Sequence, residues 1–190
     1  MNVIRLSTIA DAEQVQAIYA PIVRDTVISF ELEPPSVDEM AARMEKTRLL
    51  EMPWIVIEDA GEVLGYAYAG KYRERPAYHW AVEVSVYVHE RARGAGIGRA
   101  AYTALFSVLA FQHYQTACAG ATLPNDESVR LHEKLAFKTV GVFPNVGYKF
   151  GKWHDTIWWA KKLGAHAVPA PETVPLSVAV TMPDFPVASA

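Results

Sequence analysis

One cysteine, Cys118, is all the thiol chemistry in the 190-residue chain, which excludes an internal disulfide and any multi-cysteine metal centre and fits a reducing compartment. A basic excess is also missing. Lys plus Arg number 18 against 21 Asp plus Glu, a net charge of −3, so nothing is left over to neutralise a phosphate backbone and nucleic acid is not an expected partner. Any anion has to be held locally. The start, Met1-Asn2-Val3-Ile4-Arg5, lacks the basic region, apolar stretch and small-residue cleavage site of a secretory signal. The longest weakly polar run, Ala100 to Phe111, falls far short of the ~20 residues that cross a bilayer. We therefore expect a cytoplasmic protein without membrane contact. At 190 residues and 51% apolar content, the chain slightly exceeds the ~150 residues of an average domain and has a core without needing staples.

What is present alternates between strand and helix. Asn2 to Leu6 opens as a short strand, and Thr8 to Arg24 carries Ile9, Ala12, Val15, Ile18, Tyr19 and Ile22 at three- and four-residue spacings, an amphipathic helix. Ser36-Val37-Asp38-Glu39 has the Ser-x-x-Glu form that satisfies orphan amides at a helix start, so a second helix is predicted to run to about Leu50. Trp54 to Glu58 and Val63 to Ala69 form a hairpin. Trp80 to Val88 places Val82, Val84, Val86 and Val88 on one face and Glu83, Ser85 and Tyr87 on the other, a polar face available for chemistry. A glycine-rich turn follows, then a buried helix from Arg99 to His113 with one charge among fifteen residues. Thr116 to Thr122 is a strand, Asn125 to Ala136 a short helix, and Thr139 to Phe143 with Trp153 to Ala160 are closing strands. The fold class is α/β, a mixed sheet flanked by helices.

From Gly164 the composition changes. Five of the 12 prolines and only two charges, Glu172 and Asp184, fall in the last 27 residues. The chain thus divides into a domain over 1–163 and a tail over 164–190, disordered or laid extended against the body or a partner.

Arg93-Gly94-Ala95-Gly96-Ile97-Gly98 sits where a strand ends and a helix begins. Amides without intrahelical partners point outward there, the helix dipole adds positive potential, and glycine allows close backbone approach. Arg93 and Arg99 add charge, so the loop can hold a pyrophosphate in an acidic protein. A tight turn between packed elements is the bland alternative. A dinucleotide fingerprint also fits Gly96 to Ala101, but the acidic residue expected about 20 positions on is missing from the end of the Thr116 to Thr122 strand. A Walker loop fails because no Gly-Lys-Ser/Thr follows.

The loop instead resembles the Arg/Gln-x-x-Gly-x-Gly/Ala motif of the GNAT acetyltransferases, which grips the pyrophosphate of acetyl-CoA. The resemblance narrows to the phosphinothricin and methionine sulfoximine N-acetyltransferases through Ala67-Tyr68-Ala69-Gly70, Val82-Glu83, Val86-Tyr87-Val88, Leu123-Pro124-Asn125-Asp126, Ser128-Val129-Arg130-Leu131-His132-Glu133, Gly147-Tyr148-Lys149 and Trp153-His154-Asp155. These matches span roughly residues 5 to 163 and leave the tail out. The resemblance implies the GNAT fold, with a mostly antiparallel twisted sheet and helices on both faces. It also implies acetyl transfer from acetyl-CoA, without a metal, to the α-amine of a small glutamate- or methionine-like amino acid, in a chain that forms homodimers. Val86, Tyr87, Val88, Arg93, Gly94, Ala95, Gly96, Ile97, Gly98, Arg99 and Asn125 are the implied cofactor-binding residues.

Amide formation from a thioester needs a neutral amine, so some group must take the ammonium proton. Glu83, on the polar face of the strand feeding the loop, coincides with the glutamate regarded in the family as that base; from the strand pattern alone it is a surface carboxylate. His132 lies midway across the apolar arc of its helix, with Val129 and Ala136 to one side and Leu131 and Leu135 to the other. On pattern alone it is a core histidine. Many GNAT enzymes carry at this position a tyrosine thought to protonate the departing thiolate. The phosphinothricin branch has histidine and assigns it a role beside the glutamate, so Glu83 and His132 are the implied catalytic pair. Asn125 is both a helix cap and, by resemblance, a cofactor contact. Lys71 to Tyr78 combines three cations with two rings, and an arginine fork suits a carboxylate or phosphinate, which makes Arg73, Arg75 and Tyr78 acceptor candidates. Phe30 matches an acceptor-pocket aromatic of the family, and Tyr148, Trp153 and His154 frame the same pocket, with core packing the alternative for Trp153.

A protein amine or another small amine as acceptor, and a non-catalytic CoA-binding regulator, are the alternatives.

Overall fold

The computed structural model describes residues 2–187. Met1 and the last three residues of the expected tail, Ala188 to Ala190, lie outside the described residues. The strands are β1 (Val3–Leu6), β2 (Trp54–Asp59), β3 (Glu62–Lys71), β4 (Ala81–Val88), β5 (Thr116–Thr122), β6 (Lys138–Lys149) and β7 (Lys152–Lys162). The helices are α1 (Ala12–Asp25), α2 (Val37–Leu49), α3 (Ile97–Phe111), α4 (Asp126–Lys134) and α5 (Leu176–Ala179). One seven-stranded sheet runs β1-β2-β3-β4-β5-β7-β6. Every neighbour pair is antiparallel except β4 with β5.

Two apolar layers sandwich this sheet. On one side Val82 and Val84 of β4 pack with Ala101, Tyr102, Leu105 and Leu109 of α3 and with Trp159 of β7. Helix α3 can be buried so fully because Arg99 is its only charge. On the other side α1 contributes Val15, Ile18, Tyr19 and Val23, and α2 contributes Met40 and Met44, over Trp54, Val56 and Tyr66. The start of α2 has the reciprocal cap read from its sequence: Glu39 N–H donates to Ser36 Oγ at 3.2 Å and Ser36 N–H to Glu39 Oε2 at 2.7 Å. Ser36→Ala is expected to cost about 1 kcal/mol, measurable as a lower urea midpoint with an unchanged slope.

Three features depart from the sequence reading. The polar face of β4 is not open along its length: Tyr87 lies 4.9 Å from Tyr19 and 5.4 Å from Tyr66, ring centroid to centroid, under α1. The strand expected to end at Phe143 runs on to Lys149, because a register shift between Phe143 and Gly147 carries Pro144 past β7. An edge strand tolerates a residue without an N–H. Trp153, for which core packing was one option, is 62% exposed.

The tail neither floats nor stays extended throughout. It lies against the body, forms α5 and buries Ala179 completely. None of the helices among the described residues is long and apolar enough to cross a membrane.

Candidate active site

The chemistry-bearing end of β4 is set by a parting of strands. Strands β4 and β5 pair only from Ala81↔Thr116 to Glu83↔Cys118, while β4 stays bonded to β3 as far as Val88. From Val84 onward one edge of β4 therefore faces a gap. Tyr102 of α3 donates its hydroxyl to the Val84 carbonyl at 3.3 Å, satisfying one group that β5 has abandoned.

The gap opens into a cleft of about 530 Å³ that ends on the glycine loop. Gly94 and Gly96 adopt φ of +76° and +83°, the left-handed region that a side chain resists, and Gly96 is the residue before α3. No side chain caps that helix start, so its first amides face the cleft. Val86, Tyr87, Val88, Arg93, Gly94, Gly96, Ile97, Gly98, Arg99 and Asn125 all line the cleft. Ala95 does not; its amide turns back to the Ala92 carbonyl at 3.4 Å. Asn125 caps α4 through Ser128 N–H at 3.1 Å while remaining on the cleft wall.

Sequence reasoning missed two cations. Arg130 and Lys134 of α4 line the cleft opposite the loop. A helical wheel places them away from the core, and the side away from the core is here the wall of the cleft. Their spacing of four residues, on one helix face, was the available signal.

Glu83 stands at the last bonded pair of β4 with β5, half-buried. Burial raises its carboxyl above the usual carboxylate range, and the Arg73 guanidinium nearby opposes the shift. Arg73 lies over the Tyr72 ring at 4.3 Å, and Tyr72 meets Tyr78 edge-on at 5.7 Å. Arg73 is thus held on Tyr72, close enough for its charge to act on Glu83, with Tyr78 on the far side of the Tyr72 ring. Arg75 is exposed on the residue before the short turn Pro76–Tyr78, and its guanidinium has no hydrogen-bond partner among the described residues.

Phe30 packs on the β6–β7 hairpin: a Cβ at Gly147 would meet its ring at 2.1 Å, and His154 lies 6.3 Å away. The segment carrying Phe30 is pinned there by Lys149, which is 3% exposed and donates Nζ–H to the carbonyls of Val23 at 2.6 Å and Ser29 at 2.8 Å. Val23 belongs to the last turn of α1, where carbonyls lack helical partners. Gly147→Ala is expected to displace Phe30 and raise the Michaelis constant of the acceptor more than that of the acyl donor, read by steady-state kinetics.

His132 is not in the cleft lining. It is 3% exposed and stacks on Trp159 at 4.4 Å with the rings 2° apart. Nδ1 lies 2.8 Å from the Ser128 carbonyl, which assigns the proton to that nitrogen and leaves Nε2, 3.4 Å from Tyr102 Oη, as an acceptor that competes with the Val84 carbonyl for the one hydroxyl proton of Tyr102. Burial lowers the imidazole pKa against the Ser128 bond, so the ring is neutral at neutral pH. The Tyr102 hydroxyl, pushed far above its ordinary range by burial, keeps its proton and sits between His132 and the Val84 carbonyl.

The profile of the acetyltransferase (GNAT) domain family matches residues 4–158. The phosphinothricin N-acetyltransferase of Streptomyces viridochromogenes is 38% identical over 168 residues, covering 88% of this chain and 91% of its own length. The L-methionine sulfoximine/L-methionine sulfone acetyltransferase of Salmonella typhimurium is 34% identical, covering 87% of this chain and 97% of its own. Among solved structures, a GNAT superfamily phosphinothricin acetyltransferase from Sinorhizobium meliloti, in complex with AcCoA, superposes with a TM-score of 0.85 at 31% identity, covering 93% of this chain and 97% of its own.

Proposed function

The chain belongs to the GNAT acetyltransferase family, and from that premise we propose that it moves the acetyl group of acetyl-CoA to the α-amine of phosphinothricin, methionine sulfoximine or methionine sulfone. The observation that carries the reading is Glu83, a carboxyl raised by burial, standing where β4 and β5 part; it does not itself line the cleft, but the same strand continues into Val86, Tyr87 and Val88, which line it down to uncapped helix amides. The residues fit acetyl-CoA: the loop amides with Arg93 and Arg99 suit the pyrophosphate, and the free edge of β4 offers backbone groups to the amide-rich pantetheine arm.

In this mechanism Glu83 takes one proton from the bound ammonium, and the neutral amine attacks the thioester carbonyl carbon. The C–S bond then breaks, the second amine proton leaves nitrogen, and sulfur gains a proton to depart as the thiol. A raised carboxyl pKa shortens the gap between base and ammonium. Arg73 holds the acceptor's acidic group, with Arg75, Tyr78 and Phe30 completing the acceptor site. His132 assists as a positioning residue through Tyr102, not by touching the reacting atoms. No metal takes part. We place the protein in the cytoplasm, where a CoA-thioester pool exists and Cys118 stays reduced.

Thiol release from acetyl-CoA on adding methionine sulfoximine or phosphinothricin tests the assignment. Release above the acceptor-free background is expected; release only with unrelated amines overturns the substrate reading while leaving the family intact. Replacing Arg130 and Lys134 together by Ala is expected to raise the acetyl-CoA Michaelis constant roughly tenfold at low salt and less at high salt, as for loss of two cations facing a polyanion.

We propose a homodimer joined through β6. Its outer edge is unpaired among the described residues, and Val140, Val142, Phe143 and Val146 are exposed along it. Light scattering should give twice the chain mass, and Val142→Lys with Phe143→Lys should halve it.

A further inference from the structure

The acceptor loop, residues 72–80 between β3 and β4, has almost no core of its own. Arg73, Arg75, Tyr78 and His79 are exposed, and Tyr72 and Trp80 are only partly buried. Its internal order is a chain of contacts: Arg73 over Tyr72, Tyr72 edge-on to Tyr78, and His79 edge-on to Trp80 at 5.3 Å. Such a loop needs an outside support to hold Arg73 and Tyr78 in place.

The tail supplies one. Four consecutive residues each bond to the body. Trp80 Nε1–H donates to the Pro171 carbonyl at 2.6 Å, His113 Nδ1 lies 2.7 Å from the Glu172 carbonyl, and His79 Nε2 lies 2.7 Å from Thr173 Oγ1. Val174 exchanges two bonds with Gln112, N–H to the Gln112 carbonyl and carbonyl from Gln112 Nε2, both at 3.0 Å. The segment therefore bridges the acceptor loop to the turn after α3, whose Gln112 is fully buried. Upstream, His166, Ala167 and Ala170 share a cavity wall with Ala77 and Tyr78. Residues 171–174 lie beyond the stretch matched by the family profile, which stops at 158 within β7.

We propose that residues 171–174 are a strap that fixes the acceptor loop, making His79, Trp80 and Thr173 positioning residues for the amino-acid acceptor. The inference rests on the reading of this loop as the acceptor site. Fixing a loop in its bound geometry lowers the ordering cost at binding, so the effect falls on the acceptor and not on the acyl donor, whose cleft the strap does not line.

The test pairs Trp80→Phe with Thr173→Val, which remove the two side-chain bonds to the acceptor loop while keeping an aromatic ring at 80 and the volume at 173, in the full chain. Acceptor KM is expected to rise roughly fivefold, with acetyl-CoA KM and kcat within about twofold of wild type. An unchanged acceptor KM overturns the strap, as does a parallel rise of both Michaelis constants that tracks a lower Tm. Arg73→Ala, measured alongside, separates premise from inference. A rise there with none in the double variant defeats the strap alone; no rise in either defeats the acceptor-loop reading and the strap with it. The double variant decides the matter and not a chain ending at Gly164, because that truncation also removes Phe185 to Val187, which share a cavity with Gly96 and Arg99 of the glycine loop.

Discussion

Glu83→Gln is expected to lower kcat by about 10²- to 10⁴-fold at neutral pH, the range for losing a general base. Gln keeps the shape and polarity of the side chain, so the acetyl-CoA KM should hold. The pH profile is the sharper readout. Because burial raises the Glu83 pKa above its ordinary 4.5, the active, ionised form is lost as pH falls through that raised value, and wild-type kcat/KM climbs along a limb whose midpoint lies above 4.5. In the variant that limb disappears, and rate follows only deprotonation of the acceptor's own ammonium, so the two enzymes converge as pH rises. Stability provides the control. A carboxyl with a raised folded pKa disfavours the native state once ionised, most strongly above that pKa. Removing the charge should leave Tm at pH 7 equal or higher. Lost activity together with a lower Tm would mean that Glu83 is a structural group.

The elements that could be read in the sequence are those whose side chains answer to one neighbour. The Ser36–Glu39 cap, the valine alternation of β4 and the single charge of α3 are local patterns, and each stands where its period placed it. Extension of β6 to Lys149 was not legible, because Pro144 and Gly147 look like a loop until β7 supplies a partner for both flanks of the bulge. The tail gave no period because its docking is made by carbonyls at Pro171 and Glu172, which any sequence possesses, received by side chains about 60 to 90 positions away.

The same rule divides the site. Glycines at Gly94 and Gly96 announce a left-handed backbone before a helix, so the loop was readable. The widening of the cleft was not, since it depends on β5 leaving β4 after Glu83↔Cys118 to pair with β7 along its whole length. Lys149 belongs to the Gly147-Tyr148-Lys149 motif, but nothing local signals its burial against Val23 and Ser29, which is a tertiary fact. Tyr102 is the one hydroxylated ring in α3, and its need for a hydrogen-bond partner when buried was the available signal.

His132 carries the second large effect, on stability and on rate by different routes. His132→Ala opens a void beside Trp159, Phe137 and Tyr102 and should cost about 2 to 4 kcal/mol. His132→Phe keeps a ring on Trp159 and isolates the chemistry. The folded imidazole pKa is lowered below its ordinary 6.5, so the unfolded chain binds a proton the native state refuses. Wild-type stability is therefore fully present above pH 6.5 and declines as pH falls from there toward the folded pKa. In His132→Phe this part of the decline should vanish in urea titrations between pH 7.5 and 5.5. Rate distinguishes a contact from a relay of position. If His132 acts by packing edge-on against the Tyr102 ring and competing with the Val84 carbonyl for its hydroxyl proton, Tyr102→Phe should lower kcat by the same factor as His132→Phe, roughly tenfold, and the double variant should lose no more than either single. Multiplying losses would place the imidazole at the reacting atoms and refute the positioning role.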